Sequence, residues 1–78
     1  AMKKARRLCE TIREFYPEVG ECGSDIDVEP QCETGDWVVR LSPGERLSTI
    51  KDDSVEACLE SDRCSDVAVK VLDLLEDR

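Results

Sequence analysis

From Asp25 to Cys32 apolar and polar residues alternate without a break. Ile26, Val28, Pro30 and Cys32 share one parity, and Asp25, Asp27, Glu29 and Gln31 share the other. Alternation this strict requires a strand with one buried face and one wet face. Pro30 cannot donate to a ladder, which places the strand at a sheet edge. Thr34-Gly35 supplies a turn. Pairing across it sets Cys32 beside Trp37, Pro30 beside Val39 and Val28 beside Leu41, all on the inward parity. The second strand, over residues 36–42, turns back at Pro43-Gly44. A third follows around residues 46–51, where Leu47 and Ile50 differ in parity and imply a bulge or a three-residue loop.

The flanking segments carry the other period. Ala5, Leu8, Cys9, Ile12, Phe15 and Tyr16 recur at three- and four-residue spacing and predict a helix over residues 3–16, stopped by Pro17. Residues 18–25, with Gly20, Gly23 and Ser24, read as a loop. Asp52-Asp53-Ser54 offers helix caps, and Val55, Cys58 and Leu59 form a short apolar face. Polar residues interrupt from Glu60 to Asp66. A broad stripe then runs through Cys64, Val67, Ala68, Val71, Leu72, Leu74 and Leu75, on one bent helix or the second of two. The expected fold is α+β in the order α-β-β-β-α(-α): a three-stranded antiparallel meander with helices packed on one face. Residues 1–78 are expected to form a single small domain burying roughly 60% of its unfolded surface. Ala1, ahead of Met2, is read as a residue added before the native start. With one Trp, one Tyr and one Phe, the core must be mostly aliphatic.

This order resembles that of the double-stranded RNA-binding domain over nearly the whole chain. That family grips phosphates with a lysine cluster at the start of its last helix. Here the same place reads Asp52-Asp53-Ser54-Val55-Glu56, so RNA binding by that mode is not expected. Small acidic phage-encoded inhibitors, including some anti-CRISPR proteins, are similar in size, charge and element order.

The net charge of −8 is unevenly spread. Residues 1–16 hold five bases and two acids, for +3; the rest hold six bases and seventeen acids, for −11. An acidic body is repelled by nucleic-acid phosphates and anionic membranes, so direct nucleic-acid binding is not expected and a basic protein surface is the natural partner. Asp25, Asp27 and Glu29 form a row on the wet strand face, with residues ~6.6–6.8 Å apart. Asp36, Asp52 and Asp53 are candidate extensions. Such a row mimics a nucleic-acid backbone, and it also keeps an edge strand from pairing with other chains. Calcium is a poorer fit to Asp25-Ile26-Asp27-Val28-Glu29, because Pro30 stands where a calcium loop needs glycine. Val38 and Arg40 face outward on the uncovered side of the sheet, a contact surface for a partner or for a second copy in a homodimer.

Catalysis finds no constellation: there is no histidine, no Ser-His or Cys-His pair and no phosphate loop. The expectation is a non-enzymatic interaction or regulatory module without cofactor. No segment reaches the ~18 apolar residues a membrane span needs, and no apolar run follows the basic start as an export signal requires. A cytoplasmic location is therefore expected, with the five cysteines as reduced thiols. Cys9, Cys32, Cys58 and Cys64 sit where core hydrophobes would sit, and Cys22 lies in a reachable loop. The alternative is a metal-binding or redox-responsive protein using Cys22, Cys32, Cys58 and Cys64, though no C-x-x-C pair is present and the spacings fit no standard zinc pattern.

Overall fold

The computed structural model describes residues 3–42 and 46–76. Its elements are α1 (Lys4–Phe15), a 3-10 turn (Pro17–Val19), β1 (Ile26–Pro30), β2 (Trp37–Leu41), β3 (Leu47–Ile50), α2 (Asp52–Ser61) and α3 (Ser65–Glu76). The strands form one antiparallel sheet in the order β1-β2-β3. The α+β meander is thus present, and the strand ending in Pro30 is an edge. The expected Pro43-Gly44 turn lies outside the described residues.

Helix α1 packs on β1, α3 packs on β3 and β2, and α2 sits beside α1 and α3. All three helices lie on one face of the sheet, where Ile26, Trp37, Val39, Leu41 and Ile50 are buried against them. Leu8, Ile12, Val19, Val55, Val67, Val71 and Leu74 complete the core from the helix side. Each such aliphatic side chain contributes roughly 1.5–3 kcal/mol by leaving water, and Trp37 is the only buried aromatic among the described residues. On the opposite face Asp27, Glu29, Arg40, Leu47 and Thr49 are exposed, and Val38 is half-buried.

Three details differ from expectation. The β1–β2 register pairs Ile26 with Leu41, Val28 with Val39 and Pro30 with Trp37, two residues away from the pairing across Thr34-Gly35. The strands close at Gln31 and Asp36, whose N–H···O=C bond of 2.8 Å spans a four-residue loop. Thr34 Oγ1 fastens that loop, donating to Gln31 Oε1 (3.2 Å) and accepting from Asp36 N–H (3.2 Å). A slip of two keeps every side chain on its own face, so the hydrophobic pattern fits both registers. As a result Cys32 sits exposed in the loop rather than buried on a strand. Leu47 differs in parity from Ile50 because it faces out, 45% exposed, with no bulge in the β2–β3 register. Phe15, placed on the buried stripe by its spacing, is 48% exposed, and Tyr16 turns in instead to donate its hydroxyl to the Ala68 carbonyl (3.3 Å).

The C-terminal region is two helices. Asp62 adopts a left-handed conformation (φ 57°) that ends α2, and Arg63 N–H reaches back to the Ala57 carbonyl (3.0 Å). A disulfide joins Cys58 to Cys64 across this corner, with Cα atoms 4.2 Å apart. A second joins Cys9 of α1 to Cys22 of the loop before β1, with Cα atoms 6.2 Å apart. The cysteines were expected as five thiols; the structure pairs four and leaves Cys32 free. Proximity in the fold, invisible in the spacings, makes the pairs.

Candidate interaction surface

The acids singled out in the sequence separate into two groups once the fold is known. Asp27 and Glu29 project from β1 onto the uncovered face, both exposed. Across the ladder Asp27 lies opposite Arg40 and Glu29 opposite Val38. Among the described residues neither Asp27 nor Glu29 makes an ion pair. They form the outward row.

The remaining candidates serve the fold, except one. Asp25 Oδ2 accepts the Glu21 N–H (2.9 Å), closing the loop before β1. Gly20 must be glycine to make room for it: its φ is +93°, and an added Cβ would overlap the Asp25 side chain. Asp36 is half-buried at the hairpin closure. Asp52, the first residue of α2, accepts from the Trp37 indole N–H (2.8 Å) and from Lys4 Nζ (3.1 Å). The indole first, and the ammonium second, hold the Asp52 carboxyl below its ordinary value. For Lys4, burial pulls the ammonium down, but hydrogen bonds to Glu56 and Asp52 and their charges outweigh it, and its pKa is raised. Asp53 is exposed in the first turn of α2, and Asp25 is exposed as well but held by its bond to Glu21.

A larger arrangement went unread in the sequence. Asp52, Glu56 and Glu60 recur every four residues along α2. Lys4 pairs with Asp52 and Glu56 (both 3.1 Å), and Arg7 pairs with Glu60 (3.7 Å). The pairs advance together along both helices, so α1 and α2 run parallel. Lys4 also lies over the Trp37 ring, 5.9 Å from its centroid. The basic first turn of α1, unfavourable for its own helix dipole, is thereby balanced by the acidic stripe of α2. Complementary spacing, i to i+3 in one helix and i to i+4 in the other, was the available signal.

The alternative cysteine set is not brought together. Cys22 is bonded to Cys9, Cys58 to Cys64, and Cys32 stands apart in the hairpin loop. Among the described residues no group of three or more metal-ligating side chains converges, and no helix is long and apolar enough to cross a membrane.

No family model, curated protein or solved structure matches this chain. The likeness to the double-stranded RNA-binding domain accordingly stays one of element order.

Proposed function

We propose that the protein is a small non-enzymatic interaction module that engages a basic protein surface through the outward acids of β1, in the manner of a nucleic-acid backbone. One observation carries this reading: the acidic stripe of α2 is balanced internally by α1, whereas Asp27 and Glu29 are exposed without ion pairs among the described residues. Exposed carboxylates held on a strand and in no ion pair are available to a partner at little ordering cost. Residues two apart on a strand advance ~6.6–6.8 Å, about twice the ~3.4 Å axial rise per phosphate of one DNA strand. Asp53, exposed but on the helix layer, stands apart from this row.

The test is retention of basic proteins from a nuclease-treated native lysate on the immobilised protein, at low and moderate salt, beside an Asp27→Lys/Glu29→Lys variant. Asp25 is left in place because it holds the loop. Capture that salt weakens and the variant abolishes supports the reading, and nucleic acid displaced from the captured protein supports the mimicry. Equal capture by the variant, or none by the wild type, ends it.

A second reading, a redox-responsive protein, is favoured by the two disulfides. In a cytoplasmic setting these cysteines would be reduced at rest and would pair under oxidising conditions. Titrating thiols in protein quenched directly from cells separates the states. One reactive thiol means the pairs exist at rest, and five that stay free after exposure to oxidant end this reading.

A further inference from the structure

We propose that the protein pairs with a second copy of itself along β3, antiparallel, joining two three-stranded sheets into one. The inference rests on which backbone groups each sheet edge leaves open, independently of the acidic row.

At the β1 edge little is open. The Asp25 carbonyl accepts from Ser42 N–H (2.8 Å), and Gln31 N–H donates to the Asp36 carbonyl (2.8 Å). Hydrogen-bonded and non-bonded pairs alternate along an antiparallel ladder. Asp27 and Glu29 therefore also turn their backbone groups toward β2, and Ile26, Val28 and Pro30 turn theirs outward. Ile26 is already used: its N–H donates to the Glu21 carbonyl (3.1 Å), and its carbonyl accepts from Gly23 N–H (2.8 Å). Pro30 has no N–H. Only Val28 offers both groups, too little to seat another strand.

The β3 edge is the opposite case. The same alternation carried across β2 turns Trp37 and Val39 toward β3, where they meet Ile50 and Ser48. Leu47 and Thr49 therefore turn N–H and C=O outward, and the Lys51 N–H follows. Among the described residues no hydrogen bond uses these groups; the Lys51 carbonyl alone is engaged, by Val55 N–H (3.1 Å). No proline, glycine or carboxylate interrupts residues 46–51. Of the devices that block edge pairing this short strand has its flanking cations, Arg46 and Lys51, but neither a proline nor a bulge, so the open groups remain available.

A second copy fits it. With Thr49 opposite Thr49 of the copy across a two-fold axis, the two residues exchange both backbone hydrogen bonds. The Lys51 N–H then meets the Leu47 carbonyl of the copy. The same groups serve both chains, so the contact is closed and isologous. On the outer face the threonines form a cross-strand pair, and the stem of Lys51 covers the exposed Leu47 of the copy. The acidic β1 strands fall at the two ends, five strand spacings or about 24 Å apart. That is well beyond the ~8 Å Debye length at physiological salt. Since β1 is closed to pairing, assembly stops at two.

Sedimentation equilibrium of the full chain from micromolar to millimolar concentration tests this. The wild type should rise from 8.8 kDa toward twice that mass. Thr49→Pro removes an outward N–H at an edge position, and Thr49→Lys sets like charges opposite each other. Both should stay monomeric with unchanged circular dichroism, and Val28→Pro at the other edge should still dimerise. A wild type monomeric at millimolar concentration, Thr49 variants that dimerise like the wild type, or loss of the dimer in folded Val28→Pro overturns the proposal.

Discussion

Asp62 and Asp52 show how single carboxylate residues carry backbone and charge duties here. Asp62 holds a left-handed conformation at the end of α2, which costs a side-chain-bearing residue energy that glycine does not pay. Asp62→Gly should therefore stabilise the protein by at most about 1–2 kcal/mol, read as a higher melting temperature. Gly20 is the converse: Gly20→Ala forces a Cβ into Asp25 at φ +93° and should lower the melting temperature while releasing the loop before β1. Asp52 gives a pH signature. Its folded pKa lies below its ordinary value, so the stability it adds is present above the ordinary value and lost as pH falls through the folded one. The raised Lys4 pKa works the other way, its contribution fading only as pH climbs past its ordinary range. Melts of the wild type and Asp52→Asn should differ by a few degrees at neutral pH and converge in acid, with Trp37, the single tryptophan, as probe. Equal acid slopes for the two proteins would remove Asp52 from the account. None of this was visible residue by residue in the sequence, because the partners of Asp52 lie 15 and 48 positions away.

At the scale of elements, the periods were legible and the joins were not. The shift from three-and-four spacing to alternation and back located α1, the three strands and the C-terminal helical region, leaving open one helix or two there and missing the 3-10 turn, and Pro30 marked its strand as an edge. The hairpin register stayed ambiguous because both candidates keep Ile26, Val28, Trp37, Val39 and Leu41 on the inward parity and part only at Cys32. The cysteine pairs were equally hidden, since Cys9 and Cys22 are 13 residues apart and Cys58 and Cys64 only 6. These crosslinks tie α1 to the loop before β1, and the end of α2 to the start of α3. Loop-closure entropy assigns about 3 kcal/mol to the first and about 2 kcal/mol to the second. Cys58→Ser/Cys64→Ser should thus lower the melting temperature by on the order of 10 °C and leave the sheet intact. Insensitivity of the melt to reductant would mean that the pairs add nothing to the folded state.

For the molecule as a whole, the sequence supplied the acidic excess but not its distribution. Much of the α2 charge is answered by α1, so the acids without an internal partner are fewer than the nineteen in the sequence. That reduction follows from packing two helices side by side, which no single-helix pattern states. The sheet also has a centre and two unlike rims. Hydrogen exchange should rank them: the amides of Trp37, Val39 and Leu41, in the middle strand and buried, exchange slowest. In dilute protein the Leu47 and Thr49 amides should exchange fast, and they should slow as concentration rises if the β3 edge is occupied. Protection of Leu47 and Thr49 that is already high at low concentration would contradict an open rim.

The parallel docking of α1 on α2 also orders events in time. Lys4 waits for a carboxylate 48 residues further along. At translation rates of about 5–20 residues per second, that delay is roughly 2–10 seconds. During it, the first helix has its cations and its apolar stripe but neither the sheet nor the acidic helix that will cover them. The newborn chain is therefore locally basic before it becomes acidic, and its earliest contacts in the cell need not be those of the finished protein.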